Sequence, residues 1–450
     1  RGTTPPVSAT RHTVPVVSDV TVTSLREIAV PAYGPTALAS VGTGAVTPIL
    51  ALTALDLGAT TETAAVVVAL MGVGMVVGDL PAGALAARIG ERRALLFAAL
   101  AEGLGMVGAG LSRSVLTLAS AVLVMGVAGS VFGLARHTYL TEVVPAGMRA
   151  RALSTLGGVH RVGIFVGPFL GAAAVSVWDT RAAYAVGVTF AVLAAVLVAL
   201  TPDLARYEGQ RAARHTAAVQ AAAAAAASGA AGGAGGAREG GGASARRPAS
   251  VWSVLRAHRR VLTTLGLGVL AVAAARAARN AIVPLWAESI GLDAASTSLV
   301  FGISGAADML LFYPAGWAMD RFGRVHVAVP SMLVLGVGMA LIPVAGSFAG
   351  LVLVGLVLGV GNGIGSGILM TLGADASPEQ GRAQFLGGWR LMGDLGWAAG
   401  PALVSLGAAV LSLGAAAVMM GGLAWLGAAW LRVWVPRYDP TRAGRQATGQ

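Results

Sequence analysis

The sequence predicts an all-α polytopic membrane protein, with twelve transmembrane helices in two pseudo-symmetric six-helix bundles. Three observations carry that prediction. Hydrophobic residues make up 56% of the 450 and charged residues 11%, with a mean hydropathy of +0.76; soluble globular domains carry about 25% charge. Apolar stretches of roughly 20 residues, the length that crosses a hydrocarbon core, recur along most of the chain. One loop also occurs twice. Pro81, Gly83, Arg88 and Gly90 return as Pro314, Gly316, Arg321 and Gly323, at a constant offset of 233 residues.

Taken in order, residues 1–27 form a polar tail without the apolar core of a secretory signal. Helix 1 is expected over 28–55, interrupted by Pro31, Pro35 and Pro48. Helices 2 to 6 follow over 63–86, 94–111, 115–140, 152–177 and 181–201. Residues 202–260 read as a flexible cytoplasmic linker, holding an alanine run at 221–227 and a Gly-rich stretch. Those glycines resemble a phosphate-cradling loop in composition only, because no Lys or flanking strand accompanies them. Helices 7 to 12 are expected over 261–287, 295–318, 325–346, 348–374, 384–408 and 410–433, before a basic tail at 434–450.

The formal charge is +11, and every basic residue is Arg. A basic excess is one mark of nucleic-acid binding, but these arginines cluster at helix ends, which points to topology instead. Loops 2–3, 4–5, 6–7, 8–9 and 10–11 and both termini hold most of them. The opposite side has Arg113 and Arg181 against Asp56, Glu62, Asp179, Glu288 and Asp293. The bias predicts cytoplasmic termini in a plasma (inner) membrane. The chain has no cysteine, which excludes disulfides, thiolate metal sites and cysteine nucleophiles. No metal cluster, nucleophile–base set or nucleotide motif stands out, so neither an enzyme nor a cofactor is expected.

The 233-residue offset holds at further stations. Glu142-x-x-Pro145-x-x-x-Arg149-Ala150 maps to Asp375-x-x-Pro378-x-x-x-Arg382-Ala383, Gly163-x-x-x-Gly167-Pro168 to Gly396-x-x-x-Gly400-Pro401, and Gly58 to Gly291. Two parallel repeats of this kind place a substrate path at the repeat interface.

With six helices, a linker, six more helices and these loops, the sequence resembles the major facilitator superfamily over nearly its whole length. The family's loop 2–3 signature, Gly-x-x-x-Asp-Arg-x-Gly-Arg-Arg, is kept in the second half as Gly316, Asp320, Arg321, Gly323 and Arg324. The first half keeps Gly83, Arg88, Gly90, Arg92 and Arg93, with Ala87 in place of the aspartate. In the family that carboxylate helps latch the halves on the cytoplasmic side, so the resemblance implies a stronger latch at Asp320. Gly163, Gly167, Pro168 and Gly171 are similar to the antiporter signature of helix 5, with Ala172 at its last glycine. In motifs the chain is closest to drug:proton antiporter-like members. The helix 4 arginine of such members falls on Val122 and is missing.

An ionisable side chain in hydrocarbon costs about 2.5–3.5 kcal/mol on insertion scales, so each needs a partner or a purpose. Helix 7 carries Arg276, Arg279 and Asn280; these bind an anionic substrate, or the arginines pair structurally or snorkel outward. Asp308 on helix 8 lies twelve residues before Asp320, and Asp394 on helix 11 twelve after Arg382, each about 18 Å along its helix and near the bilayer centre. Each is either a proton carrier or a permanent counter-ion. Asp394 maps by the repeat to Arg161, and helices 5 and 8 pack together in the family, so Arg161 with Asp308 is a candidate pair. Arg390 stands one turn before Asp394 and reaches it at i, i+4. His160 reads as a relay or a packing histidine, Asp79 as a helix-packing residue, and Asn362, in Gly-Val-Gly-Asn-Gly-Ile-Gly, as a substrate contact or part of a tight crossing. Trp389 and Trp397 read as core or lipid-facing residues, or as a ligand stack.

The implied function is secondary transport by alternating access: proton-coupled efflux of a small amphipathic organic compound, by a monomer in the lipid bilayer. The rival readings are uptake or facilitated diffusion of an organic anion, and a lipid flippase or non-transporting receptor on the same scaffold.

Overall fold

The structure, a computed structural model, describes residues 29–144, 148–201, 251–378 and 381–438. The expected tail at 1–27, the alanine run, Pro145 and the end of the basic tail lie outside the described residues, as do the side chains of Ala87, Glu142, Arg149 and Ala383.

Twelve long helices are described: α1 Ala29–Asp56, α2 Thr61–Ile89, α3 Glu91–Gly110, α4 Val115–Val143, α5 Arg149–Val177 and α6 Ala182–Leu200. The second six are α7 Arg259–Ser289, α8 Ala294–Phe322, α9 Val325–Val344, α10 Phe348–Ala376, α11 Arg382–Val410 and α12 Leu413–Trp434. Eleven are both long and apolar enough to cross a membrane. The exception, α11, is as long as α5 but carries Arg382, Arg390 and Asp394.

The repeat is visible in local geometry. Helices α2 and α8 begin and end at positions 233 apart, and so do α5 and α11. Their starts are capped alike. Thr60 and its counterpart Asp293 accept from the backbone N–H three residues on, as do Ser114 and Ser347. Gly90 and Gly323 end α2 and α8 at φ of 84° and 93°, a region that side chains disfavour.

Two helices depart from expectation. Helix 10 was expected to be continuous but breaks between Ile364 and Ile368, with Gly367 at φ 77°. Glycines at 361, 363, 365 and 367 lower the cost of leaving the helix there. The end of the expected linker is also structured: Val251–Ala257 is helical, and Leu255 and Val254 pack where side chains at Gly388 and Gly381 would stand.

Each bundle packs by the same scheme. In the first, α1 lies on α5, α2 on α4, and α3 on α4 and α6; in the second, α7 lies on α11, α8 on α10, and α9 on α10 and α12. Small residues allow the closest crossings. A methyl group on Gly167 would come within 2.6 Å of Ala45 N, and one on its counterpart Gly400 within 2.9 Å of Ala278 N. The same motif thus makes both the α1–α5 and the α7–α11 crossing. Its presence in both halves makes it a packing device of the repeat.

The bundles meet through α2 on α11 and α5 on α8, and through the last turns of α1 on α7. Gly72 lies against the Ala398 backbone, and its counterpart Gly305 against Phe165. These contacts lie in the half of the molecule nearer the Gly58 and Gly291 turns. Towards the Gly90 and Gly323 turns, a methyl group at Gly157, Gly316 or Gly387 would meet nothing within 4 Å.

Candidate functional site

Where the bundles meet at mid-depth, charged side chains converge in two clusters, one on each crossing pair. The first lies between α5 and α8. Asp308 is the middle residue of the 29-residue α8. Its Oδ1 sits 2.6 Å from Arg161 Nη1, across the bundle interface, and both side chains are mostly buried. Asn362 Nδ2 donates to Asp308 Oδ2 at 2.9 Å, and Ser366 Oγ lies 3.4 Å from Oδ1. The Arg161 guanidinium also stacks over Phe312, 5.0 Å from the ring centre. Asp308 therefore has charge and donors matched around it.

Arg276 and Arg279 approach from α7, and their roles differ. Arg276 Nη2 donates to Gly365 O at 2.7 Å and lies 3.4 Å from Asn362 O, both carbonyls at the break in α10. Its position is that of a cap for a broken helix. Arg279 reaches only a 3.4 Å contact with Ser304 Oγ, and its Nε is buried without a hydrogen-bond partner. It opens on a small cavity lined also by Ser304, Phe301 and Gly355. Both arginines lie within electrostatic range of Asp308 and Arg161, so one carboxylate stands against three guanidinium groups. Asn280 is buried on α7 but adds no hydrogen bond to the cluster.

The second cluster lies between α2, α4 and α11. Arg390 Nε is 3.2 Å from Asp79 Oδ1 and 3.5 Å from Asp394 Oδ2. Arg390 Nη2 also donates to Ser130 O at 3.3 Å, and Ser130 Oγ donates to Asp79 Oδ1. Asp79, expected to serve helix packing, is thus part of a charged network between bundles. Its signal in the sequence was its depth: it stands ten residues from its helix end, as Arg390 stands eight from its own. Ser130, Ser304 and Ser366 carried no such signal.

Other polar residues are locally satisfied. His160 Nδ1 meets Ser40 Oγ at 2.6 Å at the α1–α5 crossing, and Glu102 accepts from Thr43 Oγ1 at 2.8 Å. Arg136 donates to Thr36 Oγ1 and to Pro31 O, each at 3.1 Å. Pro35 has no N–H for the Pro31 carbonyl, and Arg136 supplies the missing donor. Trp389 is buried, donates to Leu369 O at 2.8 Å and stacks on Phe385, all core contacts.

The loop motifs stay outside both clusters. Arg92 donates to Val198 O and Ala199 O at the end of α6, while Arg88 is exposed. Arg324 Nε pairs with Asp375 at 2.8 Å within its own bundle. Asp320 is 85% exposed, 4.0 Å from Arg324, and Arg321 stacks on Trp317 and Phe322. Among the described residues, Asp320 makes no ion pair to the other half. Among the described residues, no three His, Asp or Glu converge as a metal site.

Solved structures share this architecture. One of a POT family transporter in complex with a thioalcohol-conjugated peptide matches at a TM-score of 0.69 and 14% identity, over 92% of this chain and 96% of that one. A D-xylose–proton symporter matches at 0.67 and 16%, over 92% of this chain and 98% of its own. At such identities the likeness is one of fold. The sequence itself matches the Major Facilitator Superfamily over residues 36–278 and 265–450. Taken with the repeated bundles, that match makes this chain a member of the Major Facilitator Superfamily, a family of membrane transporters.

Proposed function

We propose that the chain is a proton-coupled secondary transporter, and that its substrate is a small amphipathic organic molecule bearing an anionic group. One observation carries the substrate class: Arg161 pairs with Asp308, Arg276 and Arg279 lie within electrostatic range of that one carboxylate, and each of the two keeps a buried Nε–H without an acceptor. A guanidinium in that position is a ready partner for a carboxylate or phosphate group. Asp308 is best read as the resident counter-ion, because Arg161, Asn362 and Ser366 already supply its donors.

With the arginine-rich loops taken as cytoplasmic, we read the open space beside Gly157 and Gly387 as that of an inward-open state. Alternating access then closes the Gly90 and Gly323 end, where Asp320 and loop 2–3 form the latch, and opens the Gly58 and Gly291 end. Efflux is the direction we assign, from the likeness of the helix 5 motif to antiporters, although both halves use that motif for packing.

The test is a thermal-shift screen of the purified chain at two pH values, with aromatic and medium-chain carboxylates and their neutral amides as probes. Carboxylates should stabilise the protein, the amides should not, and Arg279→Ala should remove the effect while Arg279→Lys keeps part of it. Equal shifts from the amides would sink the anionic class. Hits moved into proteoliposomes under an imposed proton gradient then give the direction.

A further inference from the structure

The second cluster has a charge balance of its own. Its carboxyl groups, Asp79 on α2 and Asp394 on α11, flank one guanidinium across the bundle interface, with Arg390 Nε 3.2 Å from Asp79 Oδ1 and 3.5 Å from Asp394 Oδ2. Their donors are one guanidinium, Arg390, and one hydroxyl, Ser130. Asp79 Oδ2 and Asp394 Oδ2 are both buried with no hydrogen-bond partner. Two ionised carboxylates are acceptors only and repel each other, so as anions they would share one positive charge, leaving Asp79 Oδ2 without a donor and Asp394 Oδ2 only the distant Arg390 Nε. A single added proton supplies both the missing donor and the missing charge.

We propose that Asp79 and Asp394 hold one proton between them, and that its loss loosens the contact of α2 with α11. When the proton leaves, Arg390, 3.2 Å from Asp79 and 3.5 Å from Asp394, is the one cation for two facing anions. Asp79 is then left on α2 as a buried anion facing another anion, and the crossing weakens. The proton comes from one aqueous side and departs to the other as the bundles rock, and no other bond is made or broken.

The surroundings fit a separate proton site. The charged groups acting on Asp394 are Asp79 and Arg390. From α4, Ser130 and His137 face the cluster; His137 Nδ1 donates to Gly133 O at its own turn and feels Arg390 and Arg136. His160 and Arg161 on α5 belong to the neighbouring cluster, with His137 acting on His160 between them. The repeat makes the contrast sharp. Positions 79 and 394 correspond to Phe312 and Arg161, which meet as a cation over a ring. One crossing thus carries a permanent charge and the other a titratable pair.

The inference takes its meaning from the transporter reading, but its test needs no substrate. Infrared pH titration of the purified full chain, in a Glu102→Gln background that removes another buried carboxyl, reads the C=O stretch of protonated carboxylic acids. One such band should vanish on alkalinisation. It should be missing in Asp79→Asn and in Asp394→Asn, kept in Asp394→Glu, and kept in Asp308→Asn. A band that survives either asparagine at 79 or 394, or that is lost with Asp308→Asn, overturns the assignment.

The chain has no cysteine, so spin labels at Gly157→Cys and Gly387→Cys report the separation of α5 and α11 cleanly. Their distance distribution should shift with pH in the parent and become pH-independent in Asp79→Asn and Asp394→Asn. A shift that persists in both variants overturns the link to motion. The band with no proton-driven flux of any hit would overturn the transporter reading and leave the shared proton standing.

Discussion

Arg161 Nη1 and Asp308 Oδ1, 2.6 Å apart, form an ion pair that joins α5 of the first bundle to α8 of the second at mid-depth. Removing one partner leaves the other as an uncompensated buried charge, which typically costs about 3–5 kcal/mol. Asp308→Ala and Arg161→Ala should each lower thermal stability in detergent strongly, and the double variant should lose less than the sum. A double-mutant cycle without coupling would show that the pair does not hold the bundles together.

The paired glycines make a second prediction. Gly167→Ala and Gly400→Ala each put a methyl group into the backbone of a neighbouring helix, and overpacking of this kind costs about 1–3 kcal/mol. Gly316→Ala meets open space and should be near neutral. Unfolding midpoints of the three variants check this, and equal losses would mean that the close crossings are not the reason for the glycines.

Topology and conformation can be read together, because any cysteine added to this chain is the only one. Gly157→Cys and Gly387→Cys stand where a side chain meets open space and should react with a membrane-impermeant maleimide offered from the cytoplasmic side. Gly72→Cys, pressed against Ala398, should resist it from either side. Labelling of position 157 from the outside alone would reverse the orientation.

The capping residues titrate differently. Accepting from the Ser296 backbone N–H holds the Asp293 carboxyl below the usual carboxylate range. A depressed carboxyl contributes stability that is present above its unfolded pKa and is lost as pH falls through the folded value. Asp293→Ala should therefore cost about 1 kcal/mol at neutral pH and little in acid. Its counterpart Thr60 has no charge to lose, so Thr60→Ala should cost a similar amount at both. Thermal midpoints at neutral and acidic pH compare them.

Much of the architecture could be read from residues alone because membrane helices are specified locally. An apolar run of sufficient length must satisfy its backbone internally, and Gly58, Gly90, Gly291 and Gly323 mark its turns. The constant offset between Gly83 and Gly316 also predicted the two bundles and aligned Arg161 with Asp394, and the family resemblance then implied Asp308 as the partner of Arg161. By itself, then, the sequence determined the class of fold, the repeat and the depth of each buried charge. What each charge does was decided only in three dimensions. Arg276 and Arg279 look equivalent on one helix, yet one caps the broken α10 and the other faces a cavity, because the break depends on packing against α7 and α8. Asp79 reads as an isolated packing residue until α11 brings Arg390 and Asp394 against it. A side chain's depth is a local quantity, whereas its partner comes from another helix, and only the tertiary crossing supplies it.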